Sequence, residues 1–125
     1  MTENDISYII RGSIIEVYKS VGPGLLESTY EAILGYELTQ QGLEVQFQVP
    51  LPLVYKDVKL EAGYRLDLLV NNKVIIEIKS VETLADVHHK QLLTYLKLSD
   101  KKLGILVNFN TDDILKSIFR KVNGL

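Results

Sequence analysis

The chain opens with two stretches in which apolar residues recur every three or four positions, the period of a helix. The first runs from Ile6 to Val21 and predicts an amphipathic helix over residues 5–20. Gly22-Pro23-Gly24 ends it, and the second stretch predicts a helix over residues 25–41 with Gly42 as its stop. Two helices therefore precede any strand.

From Leu43 onward apolar and polar residues alternate, which indicates strands. The first strand extends from Leu43 to Val49 and is interrupted by prolines. Four more short apolar segments follow, at Leu53–Tyr55, Val58–Leu60, Tyr64–Val70 and Lys73–Lys79. Their connections are too short for parallel crossovers, so this part is predicted as an antiparallel meander.

Helical spacing returns over residues 85–98, and a short apolar strand is predicted over Leu103–Val107. Asp112-Asp113 can cap a last helical turn or begin a final edge segment through Ile118, and the pattern leaves both open. The order ααβββαβ, without a repeat or linker, predicts an α/β fold with one sheet.

The composition narrows the class of protein. A chain of 125 residues with 46% hydrophobic and 24% charged residues fits one globular domain, 1–125. It has no cysteine, which excludes disulfides and Cys-ligated metal and favours a reducing compartment. No apolar run is long enough to cross a bilayer, and the acidic start is unlike a secretory signal. We therefore expect a cytoplasmic protein without a membrane partner.

Charge is divided unevenly along the chain. The net charge of −2 argues against a protein held to nucleic acid by bulk charge. Residues 1–96 carry −5, whereas residues 97–125 carry +3. If a polyanion binds, we expect it at five basic residues of this last segment, although a solvated lysine-rich face explains the charge equally well. These are Lys101, Lys102, Lys116, Arg120 and Lys121.

Acidic and basic side chains stand within two of the apolar strands. Glu77 and Lys79 extend the run from Val74 to Ile76, and a strand places both on one face. Asp67 has leucine on both sides, and a carboxylate in such a place needs a partner, either Lys79 or a cation. Two converging carboxylates suit Mg²⁺ or Mn²⁺, while a rim ion pair remains the alternative for Glu77 and Lys79.

Three helical residues are further candidates. Glu27 lies in the first turn of the second helix, where the helix dipole by itself favours an acid. Gln91 and Tyr95 stand four apart and share a face of the third helix. A half-buried tyrosine with polar neighbours is the structural alternative for that pair.

Together these residues resemble the PD-(D/E)XK nuclease superfamily. Five motifs occur in order: a helix acid, Gly63 with Asp67, Glu77-Ile78-Lys79, and the Q-x-x-x-Y element from Gln91 to Tyr95 typical of RecB-like exonucleases, followed by the segment Gly104–Phe109. In addition, Gly24–Tyr30 is similar to the signature of the GxxExxY family of small bacterial and archaeal proteins.

The resemblance implies a fold and a set of roles. The fold is a single mixed sheet with flanking helices, a restriction-endonuclease-like αβββαβ core plus an extra N-terminal helix. The implied catalytic residues are Glu27, Asp67, Glu77, Lys79, Gln91 and Tyr95. The implied metal ligands are Glu27, Asp67, Glu77 and the backbone carbonyl of Ile78.

The predicted function is a Mg- or Mn-dependent nuclease that hydrolyses phosphodiester bonds of nucleic acid, with DNA favoured over RNA. The alternative is a module that keeps the nuclease fold and binds nucleic acid or protein without cutting. The net charge of −2 favours the module, and the intact acid and lysine set favours the enzyme. A homodimer or larger assembly is left open.

The loop at Asn71-Asn72 decides whether the acids can meet. A two-residue loop would pair Asp67 with Ile76 and point Glu77 to the other face. An odd-length loop brings Asp67, Glu77 and Lys79 onto one face. Because asparagine tolerates the left-handed conformation of a type I turn with a bulge, we predict a three-residue loop or a compensating bulge.

Overall fold

The computed structural model describes residues 1–61 and 63–125. Its three α-helices are α1 (Glu3–Val21), α2 (Glu27–Gln40) and α3 (Asp86–Ser99). Its strands are β1 (Val45–Pro50), β2 (Leu53–Tyr55), β3 (Val58–Leu60), β4 (Arg65–Val70), β5 (Val74–Lys79), β6 (Leu103–Asn108) and β7 (Ile118–Val122). The described chain thus contains the predicted elements, within a few residues of their predicted ends.

The main sheet has five strands in the order β1-β4-β5-β6-β7. Only β5 and β6 are parallel, and α3 is the crossover between them. The other neighbours in this sheet are antiparallel. The element order α2-β1-β4-β5-α3-β6 confirms the predicted αβββαβ core with α1 as the extra N-terminal helix.

The expected meander is wrong in one respect. β1 pairs with β4, whereas β2 and β3 form a separate two-stranded hairpin. Pro50 is the last residue of β1 and Pro52 precedes β2, and neither can donate a backbone hydrogen bond, so β1 is not continued into a neighbouring strand. Most of the hairpin is exposed to solvent, as expected for a segment outside the core.

The segment after β6 contains both structures that the sequence left open. A 3₁₀ turn covers Ile114–Lys116, and the edge strand β7 begins after Ser117. β7 pairs antiparallel with β6 and closes that side of the sheet.

The sheet separates two apolar clusters. One contains α1 and α2 side chains, such as Ile10 and Leu34, packed on alternate sheet residues that include Ile76. The other contains α3 side chains, such as Leu92, packed on the opposite face at Ile75. Burial of both faces explains why β5 and β6 are almost continuously apolar.

The β4–β5 connection confirms the predicted odd-length loop. Val70 pairs with Val74 and Leu68 with Ile76, so three residues form the loop and Asp67 lies across from Glu77. Both Asn71 and Asn72 have positive φ angles, and Lys73 N donates to Val70 O at 3.0 Å. Two positive φ angles are typical of a type I′ turn rather than of the expected type I turn.

Candidate active site

The candidate site lies where β4 and β5 stop pairing by their backbones. The regular backbone pairing ends at Leu68 and Ile76. Beyond these residues, side-chain carboxylates accept the hydrogen bonds that connect the two strands. Asp67 N donates to Glu77 Oε1 at 3.2 Å, and Ile78 N donates to Asp67 Oδ2 at 2.8 Å. Each carboxylate therefore accepts a backbone hydrogen bond from the other residue's strand, which fixes the two acids side by side.

The surroundings favour the neutral form of both acids. Glu77 is only 6% exposed, and burial, followed by the neighbouring Asp67 charge, raises its pKa to about 8. Burial also raises the pKa of Asp67, while the Ile78 N–H and the Lys79 charge oppose that change. In the part of the chain that the structure describes, neither acid forms an ion pair within 4 Å, so two partly desolvated carboxylates face each other without a direct cation.

Lys79 supplies a positive charge that acts on this pair. It is half-buried at the end of β5, two residues beyond Glu77. Its charge lowers the pKa of both Asp67 and Glu77, which shows that the ammonium group acts on the two carboxylates without a close ion pair. Lys79 is thus placed beside the acids.

Glu27 lies in the same region, at the start of α2, but its carboxylate does not bond to the Asp67–Glu77 pair. Its Oε2 accepts a hydrogen bond from Ser80 N at 3.0 Å, and Ser80 Oγ donates to Leu25 O at 2.7 Å. These bonds tie the residue after Lys79 to the start of α2. The Glu27 charge also contributes to the raised pKa of Asp67, so the predicted helix acid lies within electrostatic reach of the pair.

Tyr30 gives the Gly24–Tyr30 motif a structural role. Its hydroxyl donates to Gly22 O and accepts from Leu25 N, and its ring stacks on Phe109 with centroids 4.2 Å apart. Gly24 has a φ of 98°, which a residue with a side chain rarely adopts. Tyr30 thus anchors the loop that sets where α2 begins, and that position in turn places Glu27.

Gln91 and Tyr95 lie on the sheet-facing side of α3. Burial, followed by the charge of Glu77, raises the pKa of Tyr95 to about 12, and a hydrogen bond with Gln91 opposes that change. Tyr95 also packs against Tyr64 with ring centroids 5.8 Å apart. The structure therefore brings the predicted pair together with the acids, and Tyr95 stays a neutral hydrogen-bonding group.

The predicted basic surface is largely separate from the acids. Lys101 and Lys102 precede β6, and Lys121 pairs with the second residue of that strand, whereas Lys79 pairs with its last residue. The four residue steps between these two positions of β6 span about 13 Å. Arg120 contacts Asn4 of α1, and Lys116 forms an exposed ion pair with Asp113 at 3.8 Å. The role of these five residues in binding nucleic acid stays a prediction.

Sequence reasoning missed Gln48 and Glu31. Gln48 Nε2 donates to Glu31 Oε2 at 2.8 Å and to Asp67 Oδ1 at 3.4 Å, so one amide bridges two carboxylates. Burial raises the pKa of Glu31, and the Asp67 charge adds to this effect. Glu31 follows Glu27 by one helical turn, which is the one sequence signal that placed it on the same face.

Gln48 also marks a change of face in the sheet. Val45 packs in the α1–α2 cluster, whereas Val49 packs in the α3 cluster, although alternation would place both on one face. β4 makes the same change between Leu68 and Leu66. Gln48 has a φ of 49°, rare for this residue type, at the position across from Asp67. The distortion leaves the Asp67 side chain free of the regular alternation.

The donor set suits a hard divalent cation. Asp67 and Glu77 supply adjacent carboxylate oxygens, and one oxygen of each accepts a backbone N–H group. The pKa values of Asp67 and Glu77 are raised, and a bound cation would lower them. Across residues 1–61 and 63–125, no three His, Cys, Asp or Glu side chains are already gathered as metal ligands. The pair therefore offers two of the ligands that such a site would need.

Comparison with known proteins agrees with this fold. A family model of the PD-(D/E)XK nuclease superfamily matches residues 4–122. The chain belongs to that superfamily, and its mixed sheet with flanking helices is the restriction-endonuclease-like fold. No curated protein and no solved structure matches the chain. In the described ranges no helix is long and apolar enough to span a membrane.

Proposed function

We propose that this protein is a Mg²⁺- or Mn²⁺-dependent nuclease that hydrolyses phosphodiester bonds of nucleic acid, with DNA as the preferred substrate. The single observation that carries the proposal is the facing pair Asp67 and Glu77 beside Lys79. Membership of a nuclease superfamily supports the same reaction class. The whole chain, 1–125, acts as one nuclease domain, and the Gly24–Tyr30 and Gln91–Tyr95 motifs support its finer placement in the GxxExxY, RecB-like branch.

The residues have separate tasks in this mechanism. Asp67, Glu77 and the carbonyl of Ile78 would hold the cation, with Glu27 as a supplementary ligand. The cation would supply Lewis-acid stabilisation of the charge that develops on the phosphoryl oxygens. Lys79, as an ammonium group, orients the attacking water and offsets negative charge at the phosphate. Gln91 and Tyr95 support Glu77 and donate hydrogen bonds toward the substrate phosphate.

The raised pKa values of Asp67 and Glu77 agree with their proposed role as cation ligands. A carboxylate pair that resists ionisation without a cation gains a large stabilisation when one arrives, so cation binding and deprotonation are coupled. Lys79 contacts neither acid as a close ion pair in the described chain. Its ammonium group therefore remains available for water and phosphate.

The test is a cleavage assay on labelled single- and double-stranded DNA and RNA, with Mg²⁺, with Mn²⁺ and with EDTA. We expect cleavage with either cation and none in EDTA. Lys79→Ala should lower the rate on the order of 10²-fold or more while leaving Mn²⁺ affinity nearly unchanged. An equal rate for Lys79→Ala and the wild type would remove the mechanism.

A non-cleaving binding module is the second candidate. It is favoured by the net charge of −2 and by the absence of a gathered three-ligand cluster in the described residues. Such a module would bind nucleic acid or protein equally well in EDTA, and the wild type would cut no substrate with either cation. A homodimer is compatible with both candidates, and sedimentation of the free protein measures it.

A further inference from the structure

A cleft of about 630 Å³ opens between α2 and the edge strand β1. Its walls are mainly apolar and include Tyr36, Phe47 and Ala32, while Glu31, Gln40 and Gln48 provide polar groups. Tyr36 is 66% exposed and Phe47 is 49% exposed. The size falls within the range of small-ligand sites, and two accessible aromatic rings line it.

Phe47 packs directly against a glycine of α2. A Cβ on Gly35 would lie 2.3 Å from two ring carbons of Phe47, so the ring occupies the space that any other residue at position 35 would fill. Gly35 lies in the interior of α2, where glycine is a poor helix former. The close contact gives this glycine a role, because it seats a half-exposed flat ring against the helix.

The cleft adjoins the candidate active site. Glu31 and Gln48 line the cleft, and Gln48 Nε2 is 3.4 Å from Asp67 Oδ1 on its other side. Phe47 directly precedes Gln48 in β1. A substrate whose phosphate lies at Asp67 would therefore place its neighbouring group at the mouth of this cleft.

The charge of the cleft indicates which part of a nucleotide enters it. Its described lining contains one carboxylate, that of Glu31, and no lysine or arginine. A phosphate would be repelled, whereas a neutral base can stack on an aromatic ring and bond its edge to amide groups. The distorted edge at Gln48, followed by Pro50, disfavours the pairing of another strand along β1.

We propose that this cleft binds one unpaired nucleobase next to the scissile phosphate, stacked on Phe47 and flanked by Tyr36. The inference rests on the proposed nuclease function and narrows its substrate to nucleic acid with a single-stranded segment at the cut. A base within a duplex is stacked on its neighbours and cannot enter unless it leaves the helix.

The test measures binding in EDTA, where no cleavage occurs. The probe is a short single-stranded oligodeoxynucleotide with one 2-aminopurine, whose fluorescence falls when the base stacks. We expect quenching by the wild type and about tenfold weaker binding by Phe47→Leu, as is typical when one base–aromatic stack is lost. Tyr36→Ala should also weaken binding. Tyr8→Ala, which removes a tyrosine that is 83% exposed on α1, is the matched control and should bind as the wild type does.

Several results would overturn the inference. These are no binding by the wild type, equal binding of an oligonucleotide that is abasic at the probe position, or affinities of Phe47→Leu and Tyr36→Ala within twofold of the wild type. A dimer that dissociates in Phe47→Leu would assign the cleft to a second copy of the chain. If Phe47→Leu fails to fold, the exposed Tyr36→Ala decides.

Failure of the proposed function has a different signature. Quenching that depends on Phe47, with no cleavage in Mg²⁺ or Mn²⁺, would retain the base site and reject hydrolysis. Cleavage of abasic and base-containing strands at equal rates would retain hydrolysis and reject the base site.

Discussion

Replacing Glu77 by glutamine should make the metal-free protein more stable at alkaline pH and remove much of its pH dependence. The reason is the pKa of Glu77, which burial and the Asp67 charge raise from an ordinary 4.5 to about 8. Between these values the folded protein holds a proton that the unfolded chain has released. The free energy of unfolding therefore falls as pH rises, by about 1.4 kcal/mol per pH unit at most.

The magnitude follows from the two pKa values. The stabilisation by the bound proton is fully present below pH 4.5 and is lost as pH passes about 8. Between pH 5 and pH 9 the wild type should lose about 4 kcal/mol relative to Glu77→Gln, which has no proton to release. The pKa of Asp67 is also raised, so its ionisation changes stability in the same direction. Typical domains have only about 5–15 kcal/mol of stability, so this loss is readily measurable.

Urea unfolding in EDTA at several pH values, followed by circular dichroism, gives the free energies by linear extrapolation. Glu16→Gln, which changes an acid on α1 far from the pair in sequence, is the control and should follow the wild-type profile. Added Mn²⁺ should stabilise the wild type more at pH 8 than at pH 6, because binding requires ionised acids. Parallel pH profiles for the wild type and Glu77→Gln would refute the reasoning, since Glu77 would then be ionised throughout.

Three further outcomes are expected. Asp67→Ala should lose Mn²⁺ binding in calorimetry, and unchanged affinity would reject the pair as the cation site. Changing both Lys101 and Lys102 to glutamine should flatten the salt dependence of nucleic-acid binding, by about one unit of slope for each lysine that pairs with a phosphate, whereas an unaltered slope would place the substrate elsewhere. Tyr30→Phe should lower the free energy of unfolding by about 1–3 kcal/mol in chemical denaturation, because the Gly22 carbonyl and the Leu25 N–H lose their hydrogen-bond partner. Unchanged stability would show that water replaces the hydroxyl.

Much of the fold could be predicted because its signals are local. The period of apolar residues indicated the three α-helices, and the need for Asp67 and Glu77 to meet indicated the odd-length loop. The pairing of β1 with β4 was missed because a sequence does not show which strands become neighbours when an independent hairpin intervenes. The same limit hid the contact between Glu27 and Ser80, which lie 53 residues apart.

The change of face at Gln48 was not predictable from the sequence. Val45, Phe47 and Val49 alternate with polar residues, so the pattern indicates one continuous face. A positive φ angle is usually marked by glycine or asparagine, and glutamine gives no such signal. Local pattern and tertiary structure disagree at this position, and such disagreement is most often found at functional sites.

The carboxylates of Asp67 and Glu77 belong to the hydrogen bonding that connects β4 and β5. At this position the carboxylates accept the backbone hydrogen bonds of Asp67 and Ile78 that strand carbonyls would otherwise accept. Removing either side chain therefore abolishes a candidate cation ligand and also leaves a backbone N–H group without its partner. Since a buried unpaired donor costs about 1–3 kcal/mol, alanine at either position should lower stability, whereas the amide variants retain an acceptor oxygen. Loss of activity in Glu77→Gln with its fold intact would thus separate the chemical role of the carboxylate from its structural one.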